Sequence, residues 1–227
     1  GDASNDGQAP YVETDDYHIV PYAYTGFDRP LITLTFDDGP QENVTTVLPV
    51  LNQYGFKTTQ CYISGPLESG EDPTDDVRQF ANSGQEICSH TVTHPMLSTL
   101  PVGDDTTPGT VDYELAHSGD YLRNLLKDIP GQDVQDFASP YGDYDAIVNQ
   151  EIKKYYASHR TVNEGYNSAD NLVDADGNLD LYHLRVQNMM YVTTPDQFKF
   201  WVEKAEQDHT WLIIVYHRIG IQSEEAP

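Results

Sequence analysis

Apolar positions along this chain switch repeatedly between short continuous runs and spacings of three and four, and the switching predicts alternating strands and helices. Leu31 to Phe36 is a β-branched and apolar run that stops in Asp37, Asp38, Gly39 and Pro40, which predicts a buried strand delivering two carboxylates. Val44, Val47, Leu48 and Leu51 fall at helical spacing and end at Gly55, predicting a helix from Val44 to Tyr54. Thr58 to Ile63 reads as a second strand, Thr74 to Asn82 as a helix with Val77, Phe80 and Ala81 inward, and Glu86 to Ser89 as a third strand. Val111 to Asp128 is the longest helix, with Leu115, Leu122, Leu125 and Leu126 on one side and Pro130 and Gly131 ending it. A strand from Asp136 to Ala138, a helix from Tyr144 to Tyr155 and a strand from Ala157 to Arg160 follow. Asn163 to Asp180, rich in Asn, Asp and Gly, reads as a long loop able to shape a groove. Strands from Leu181 to Val186 and Trp211 to Tyr216 bracket a helix from Pro195 to Asp208, with Thr194 as its N-cap.

Strand-helix alternation of this density implies an α/β fold with a parallel sheet, although periodicity alone does not separate an open sheet from a closed barrel. In a barrel the C-terminal strand ends converge on one mouth. Asp37, Asp38, His90, His94, Tyr141 and His217 all fall at or just after such ends. Because Gly39 and Pro40 end the pairing at once, Asp37 and Asp38 can splay into one pocket with different jobs. His90 and His94 stand at i and i+4, a spacing that in a helical turn puts both imidazoles on one face. With Asp38 they make three ligands and leave one position open, the pattern of a catalytic rather than a structural metal site. One carboxylate and two imidazoles suit Zn²⁺, with Co²⁺, Ni²⁺ or Mn²⁺ as alternatives. The bland alternatives are an Asx turn at Asp37 and Asp38 and a surface histidine pair. His18, His117, His159, His183 and His209 have no such context and read as structural.

Four segments in order carry a family resemblance: Thr35-Phe-Asp-Asp-Gly-Pro40, His90-Thr-Val-Thr-His-Pro95, Phe137-Ala-Ser-Pro-Tyr-Gly142 and Leu212-Ile-Ile-Val-Tyr-His217. From Leu31 to Ile219 the chain resembles the polysaccharide deacetylases, carbohydrate esterase family four. The resemblance implies a distorted, TIM-like (β/α) barrel of about seven parallel strands. It implies that Asp38, His90 and His94 hold the divalent metal, that Asp37 is the base, that His217 is the acid, and that the Tyr141 backbone N–H serves the oxyanion. Pro140, Tyr141, Arg160 and Arg185 would meet the substrate. That substrate is an N-acetylglucosamine polymer or oligomer such as chitin, poly-N-acetylglucosamine or the peptidoglycan glycan. Acetylxylan, or carbohydrate binding without catalysis, are the alternatives.

The chain departs from the family in three places. The arginine that commonly pairs with the base aspartate in the third motif is replaced by Ala138. Arg160 and Arg185 are the candidates to replace it, since both follow or end predicted strands on the side of His217. Leu181 to Val186 is a loose match to the fourth motif. The family domain also usually continues with another helix and strand, so closure of the barrel is expected to be imperfect.

With 227 residues the chain is long enough for one sizeable core, divided here into a leader over 1–26 and a catalytic domain over 27–227. Within the leader, Gly1 to roughly Gln8 is polar with no apolar signal core and looks like a linker left after export, so the protein is expected to be secreted or on the cell surface. It is also expected to be a monomer. The formal charge of −25, from 37 acids against 12 bases, repels nucleic acid and anionic lipid and fits a solvated, salt-adapted surface. The apolar run Trp211 to Tyr216 is too short for a membrane span. Cys61 and Cys88 fall on neighbouring strands, either as a disulfide or as two inert thiols. Asn43-Val-Thr45 is a glycosylation triplet to which no role is assigned.

The charge leads to a testable expectation. Self-repulsion should weaken the fold in dilute buffer, where screening extends about 30 Å at 0.01 M salt against about 3 Å at 1 M. Thermal melts should therefore shift upward across that range; a flat or falling Tm would mean the acids are already paired or too dispersed to matter.

Overall fold

The structure, a computed structural model, describes residues 26–219; the leader expected over 1–26 lies outside the described residues up to position 25. The strands are β1 (Leu31–Phe36), β2 (Thr59–Tyr62), β3 (Glu86–Ser89), β4 (Asp136–Ala138), β5 (Ser158–Glu164), β6 (Leu184–Asn188) and β7 (Trp211–Tyr216). The helices are α1 (Glu42–Thr46), α2 (Leu48–Tyr54), α3 (Ser64–Ser69), α4 (Thr74–Asn82), α5 (Val111–Leu126), α6 (Ala146–Tyr155) and α7 (Pro195–Asp208). All seven strands pair in parallel and in sequence order to close a barrel. The imperfect closure expected from the sequence does not occur: β1 and β7 pair continuously from Leu31↔Trp211 to Phe36↔Tyr216. The weakest seam is β3 to β4, joined at Ser89↔Phe137, because β4 has only three residues.

Local chemistry accounts for most element boundaries. The helix expected over Val44 to Tyr54 is broken into α1 and α2 because Pro49, near the start of α2, has no N–H to continue the ladder. Gly55 ends α2 in the left-handed conformation, as a C-terminal glycine does. Helix α7 starts with a reciprocal capping box between Thr194 and Gln197. Strand β5 runs into the expected loop as far as Glu164, and β6 starts at Leu184 rather than Leu181. Buried Asn167 pins that region, donating to the carbonyls of Arg185 (2.8 Å) and Trp211 (3.2 Å) and accepting the Arg185 N–H (2.8 Å). Short α3 carries too little periodicity to be read from sequence.

The inward faces of α4 and α5 pack Val77, Phe80, Ala81, Leu122 and Leu126 against Phe36, Leu48, Leu51 and Ile87. Cys61 and Cys88 stand opposite each other in the β2–β3 register and form a disulfide. Asn43 of the glycosylation triplet is buried and donates to the His217 carbonyl at 3.1 Å, so it anchors the end of β7 and leaves no room for a glycan. No described helix is long and apolar enough to cross a membrane.

At the N-terminal end of the barrel, opposite the mouth, Glu86 accepts the Thr59 hydroxyl at 2.5 Å, and Ser158 donates to Asp136. Burial, followed by the proximity of Asp136 and Asp133, raises the Glu86 pKa to about 7 even though the Thr59 bond opposes the rise. A carboxyl raised in the folded state stabilises the fold fully below its unfolded pKa, and that stability is lost as pH rises through the folded value. Between roughly pH 4.5 and 7 the Glu86 contribution should therefore decline. Thermal melts of Glu86→Gln should lose part of the parent's pH dependence over this window; superimposable pH profiles would rule out a raised Glu86 pKa.

Candidate active site

The mouth of the barrel is assembled from strand ends that leave their ladders abruptly. Asp37 keeps β1 paired for one more bond, its N–H donating to the Tyr216 carbonyl at 2.9 Å. Asp38 and Gly39 then turn left-handed with φ of 68° and 64°. Only glycine fits at 39, since a Cβ there would lie 2.2 Å from the Tyr62 ring. The reversal splays the two carboxylates as expected.

Asp38 faces the histidines. Its Oδ1 lies 3.4 Å from His90 Nε2 and 3.3 Å from His94 Nε2, and the three ligating atoms fall within 4.8 Å of one another. Ligand atoms around a tetrahedral ion with bonds of about 2.0–2.2 Å stand roughly 3.3–3.6 Å apart, so this donor set fits a divalent cation. The same Oδ1 is buried without a hydrogen-bond donor, a cost that a bound cation would remove. Burial acts to raise the Asp38 pKa, but the imidazoles of His90 and His94 beside it and the nearby His217 outweigh it. The carboxyl is held far below its usual range.

The histidine loop differs from the expected helical turn. Thr91 and His94 have φ of 68° and 59°, and the two rings meet edge to face at 4.8 Å. What holds this strained backbone was not legible in the sequence. Glu114 of α5, almost fully buried, accepts the N–H groups of Val92 (2.8 Å) and Thr93 (2.9 Å) and the Thr93 hydroxyl (2.7 Å). From the other side the first amides of α3 donate to the loop, Ser64 to Thr91 O at 3.0 Å and Gly65 to Val92 O at 2.9 Å. His90 Nδ1 lies 2.7 Å from the Ala138 carbonyl, which fixes the proton there and leaves Nε2 free to ligate.

Tyr141 sits with φ of 57° in the turn after β4, and its side chain is 64% exposed beside His94, the ring centroids 4.6 Å apart. The turn closes through Gly142 N–H to Ser139 O and Asp143 N–H to Pro140 O, neither of which uses the Tyr141 N–H. The Ser139 hydroxyl bonds His159 Nε2 at 2.7 Å, while His159 Nδ1 faces the Tyr182 carbonyl at 3.0 Å. Burial drives the His159 pKa down to about 3, so it stays a neutral brace for the turn, consistent with a structural reading. Pro140 is buried and shapes this turn, so it offers no surface to a substrate.

The two candidate arginines separate cleanly. Arg160 faces Ala138 across the β4–β5 register and places Nη2 2.6 Å from both Asp37 oxygens, with both side chains almost fully buried. The cation missing at 138 thus comes from the adjacent strand. Arg185 lies between buried Leu184 and Val186, is itself exposed, and packs over Gly165 outside the barrel. It does not reach the site, because residues one apart on a strand face opposite ways. His217 is exposed at the end of β7, next to Asp37 across the Phe36↔Tyr216 pair.

A family model described as polysaccharide deacetylase matches residues 25–158. A chitooligosaccharide deacetylase of Rhizobium leguminosarum bv. trifolii is 38% identical over 80 residues, 35% of this chain and 36% of that protein. A bifunctional xylanase/deacetylase of Pseudobutyrivibrio xylanivorans is 26% identical over 125 residues, 55% of this chain and 19% of the relative. The chain therefore spans about a third or less of these two relatives. Among solved structures, the Streptococcus pyogenes deacetylase PplD in complex with acetate superposes with a TM-score of 0.59 at 27% identity, over 74% of this chain and 68% of that one.

The Glu114 brace can be tested apart from any reaction. Glu114→Ala should strand two backbone donors, loosen the histidine loop and weaken Zn²⁺ binding about 10–100-fold by isothermal titration. Parental affinity in a folded variant would assign the loop's geometry to α3 alone.

Proposed function

Since this chain belongs to the polysaccharide deacetylase family, we propose that it is a metal-dependent hydrolase that removes acetyl groups from N-acetylglucosamine units of a polysaccharide or its oligomers. The observation that carries the reading is the pairing of Asp37 with Arg160 beside the Asp38, His90 and His94 triad. It supplies an oriented carboxylate next to a cation site, and it restores from β5 the partner that Ala138 lacks. A non-catalytic role would not need this buried charge pair.

A divalent ion at the triad, Zn²⁺ by preference, would polarise the acetyl carbonyl and lower the pKa of a bound water from about 15.7 toward 7. Asp37 accepts the water's proton; each of its oxygens retains a lone pair beyond the one taken by Arg160. The Tyr141 N–H donates to the developing oxyanion, a contribution of about 10²–10³ in rate for a single donor. His217 protonates the departing nitrogen, which leaves poorly as an unprotonated amine. Exposed Tyr141 offers a ring for a sugar face at the rim.

The chitooligosaccharide name of the R. leguminosarum relative supports an N-acetyl substrate, whereas the xylanase/deacetylase relative keeps acetylxylan as the second reading. The machinery serves esters equally well, because an alkoxide needs less help to leave. We further propose that the protein acts outside the cell as a monomer.

An acetate-release panel over chitin oligomers, poly-N-acetylglucosamine, peptidoglycan and acetylxylan, with and without Zn²⁺, tests the reading. We expect Zn²⁺-dependent release from an N-acetylglucosamine polymer, and release from acetylxylan alone would select the ester reading. Asp37→Asn should retain metal and lose about 10²–10⁴ in kcat, since an amide cannot take the proton. Undiminished turnover in that variant would move the base elsewhere.

A further inference from the structure

Beneath the mouth, five buried residues line the inner face of the barrel. Asp37 and Cys61 lie two positions on from the paired Thr35 and Thr59, hence on the same face. Cys61 is bonded to Cys88 across the β2–β3 register. Cys61, Cys88 and Ala138 pack as one buried cluster. Ala138 faces Arg160, and Arg160 returns to Asp37. The ring passes through β1, β2, β3, β4 and β5 with no residue of the five exposed to solvent.

Room in such a ring is limited, since interiors pack like organic crystals and extra side-chain atoms displace their neighbours. Ala138, with 0% exposure and two sulfurs beside it, has no open side to grow into. Arg160 instead extends across the lumen to Asp37, its Nε left without a hydrogen-bond partner on the way.

We propose that the Cys61–Cys88 disulfide is a positioning element for the base: it fills the volume that a long side chain at 138 would need, and thereby routes the cation that holds Asp37 to Arg160 on β5. The cystine and an arginine at 138 are alternatives for one space. Removing the two sulfurs frees that space and allows the carboxylate to be held from either strand. The kinetic consequence rests on the deacetylase reading; the packing consequence does not.

Both consequences are measurable. In the kinetic arm Arg160→Met lowers kcat about 10²-fold while KM and Zn²⁺ affinity hold within about twofold, because the base loses its orientation and not its neighbours. Adding Ala138→Arg with the disulfide intact restores nothing. Adding it in a Cys61→Ala, Cys88→Ala background restores at least about tenfold. Recovery with the disulfide intact, or none in a folded, Zn²⁺-loaded quadruple variant, overturns the proposal.

The second arm needs no turnover. Parent and Ala138→Arg are equilibrated in graded dithiothreitol, alkylated and weighed by mass spectrometry; crowding in the variant should raise the reduced-to-oxidised ratio at least about tenfold at a fixed poise. Ala138→Leu serves the same purpose if the arginine variant does not fold. Identical reduction curves overturn the proposal, and because this arm reads packing alone, they do so whether or not any polymer releases acetate.

Discussion

A carboxylate and a guanidinium, both nearly fully buried, meet across the inside of the barrel, and the arrangement of the mouth follows from what that pair requires. Taking two charges out of water costs several kcal/mol per ion, and removing one partner alone typically costs about 3–5 kcal/mol. The pair is therefore sustained only where geometry brings the partners together closely, as Arg160 Nη2 does at 2.6 Å from each Asp37 oxygen. That geometry depends on closure, for β1 and β5 are not neighbours and face each other only because β7 seals against β1. A sheet left open at that seam would leave Asp37 in solvent.

Around this pair, each chemical group is held by an element other than its own. The Ala138 carbonyl sets the His90 ring, Glu114 and the first amides of α3 hold the loop to His94, His159 braces the Tyr141 turn, and Asn43 ties down the His217 carbonyl. The left-handed residues Asp38, Thr91, His94 and Tyr141 concentrate at the same mouth. Such backbone costs on the order of 1–3 kcal/mol per residue and persists only where the surroundings over-determine it, which is what these braces do. The site is strained but preorganised, the condition under which fixed dipoles and ligands act on a transition state without rearranging first.

The two ends of the barrel are specialised by the same alternation of side chains. At the mouth the interior offers a buried carboxylate, a guanidinium and the cluster of Asp38, His90 and His94; at the opposite end it offers hydroxyls and clustered acids, Thr59, Glu86, Asp136 and Ser158. Beside the Asp37–Arg160 pair the cystine and Ala138 form a buried apolar cluster. The charged and hydroxyl groups inside the barrel are tolerated where they pair with one another, Arg160 with Asp37, Thr59 with Glu86 and Ser158 with Asp136.

Much of this was determined by sequence alone. Periods of two and 3.6 are local properties, so α4, β3, β4, α7 and β7 begin and end where the pattern predicts. Asp37, Asp38, His90, His94, Tyr141 and His217 are legible because strand ends converge and because the motifs that carry them are contiguous. Tertiary structure alone decided the rest. Glu114, Asn43 and His159 act on residues 20 to 174 positions away, and no local period encodes such a partnership. Arg160 and Arg185 look equivalent in the chain, yet one reaches Asp37 and the other faces outward. Strand register puts Arg160 opposite Ala138, and odd or even position relative to that register decides which side of the wall a side chain occupies. The choice between a disulfide and two thiols likewise waited on register, because only direct pairing of Cys61 with Cys88 brings their sulfurs within bonding reach.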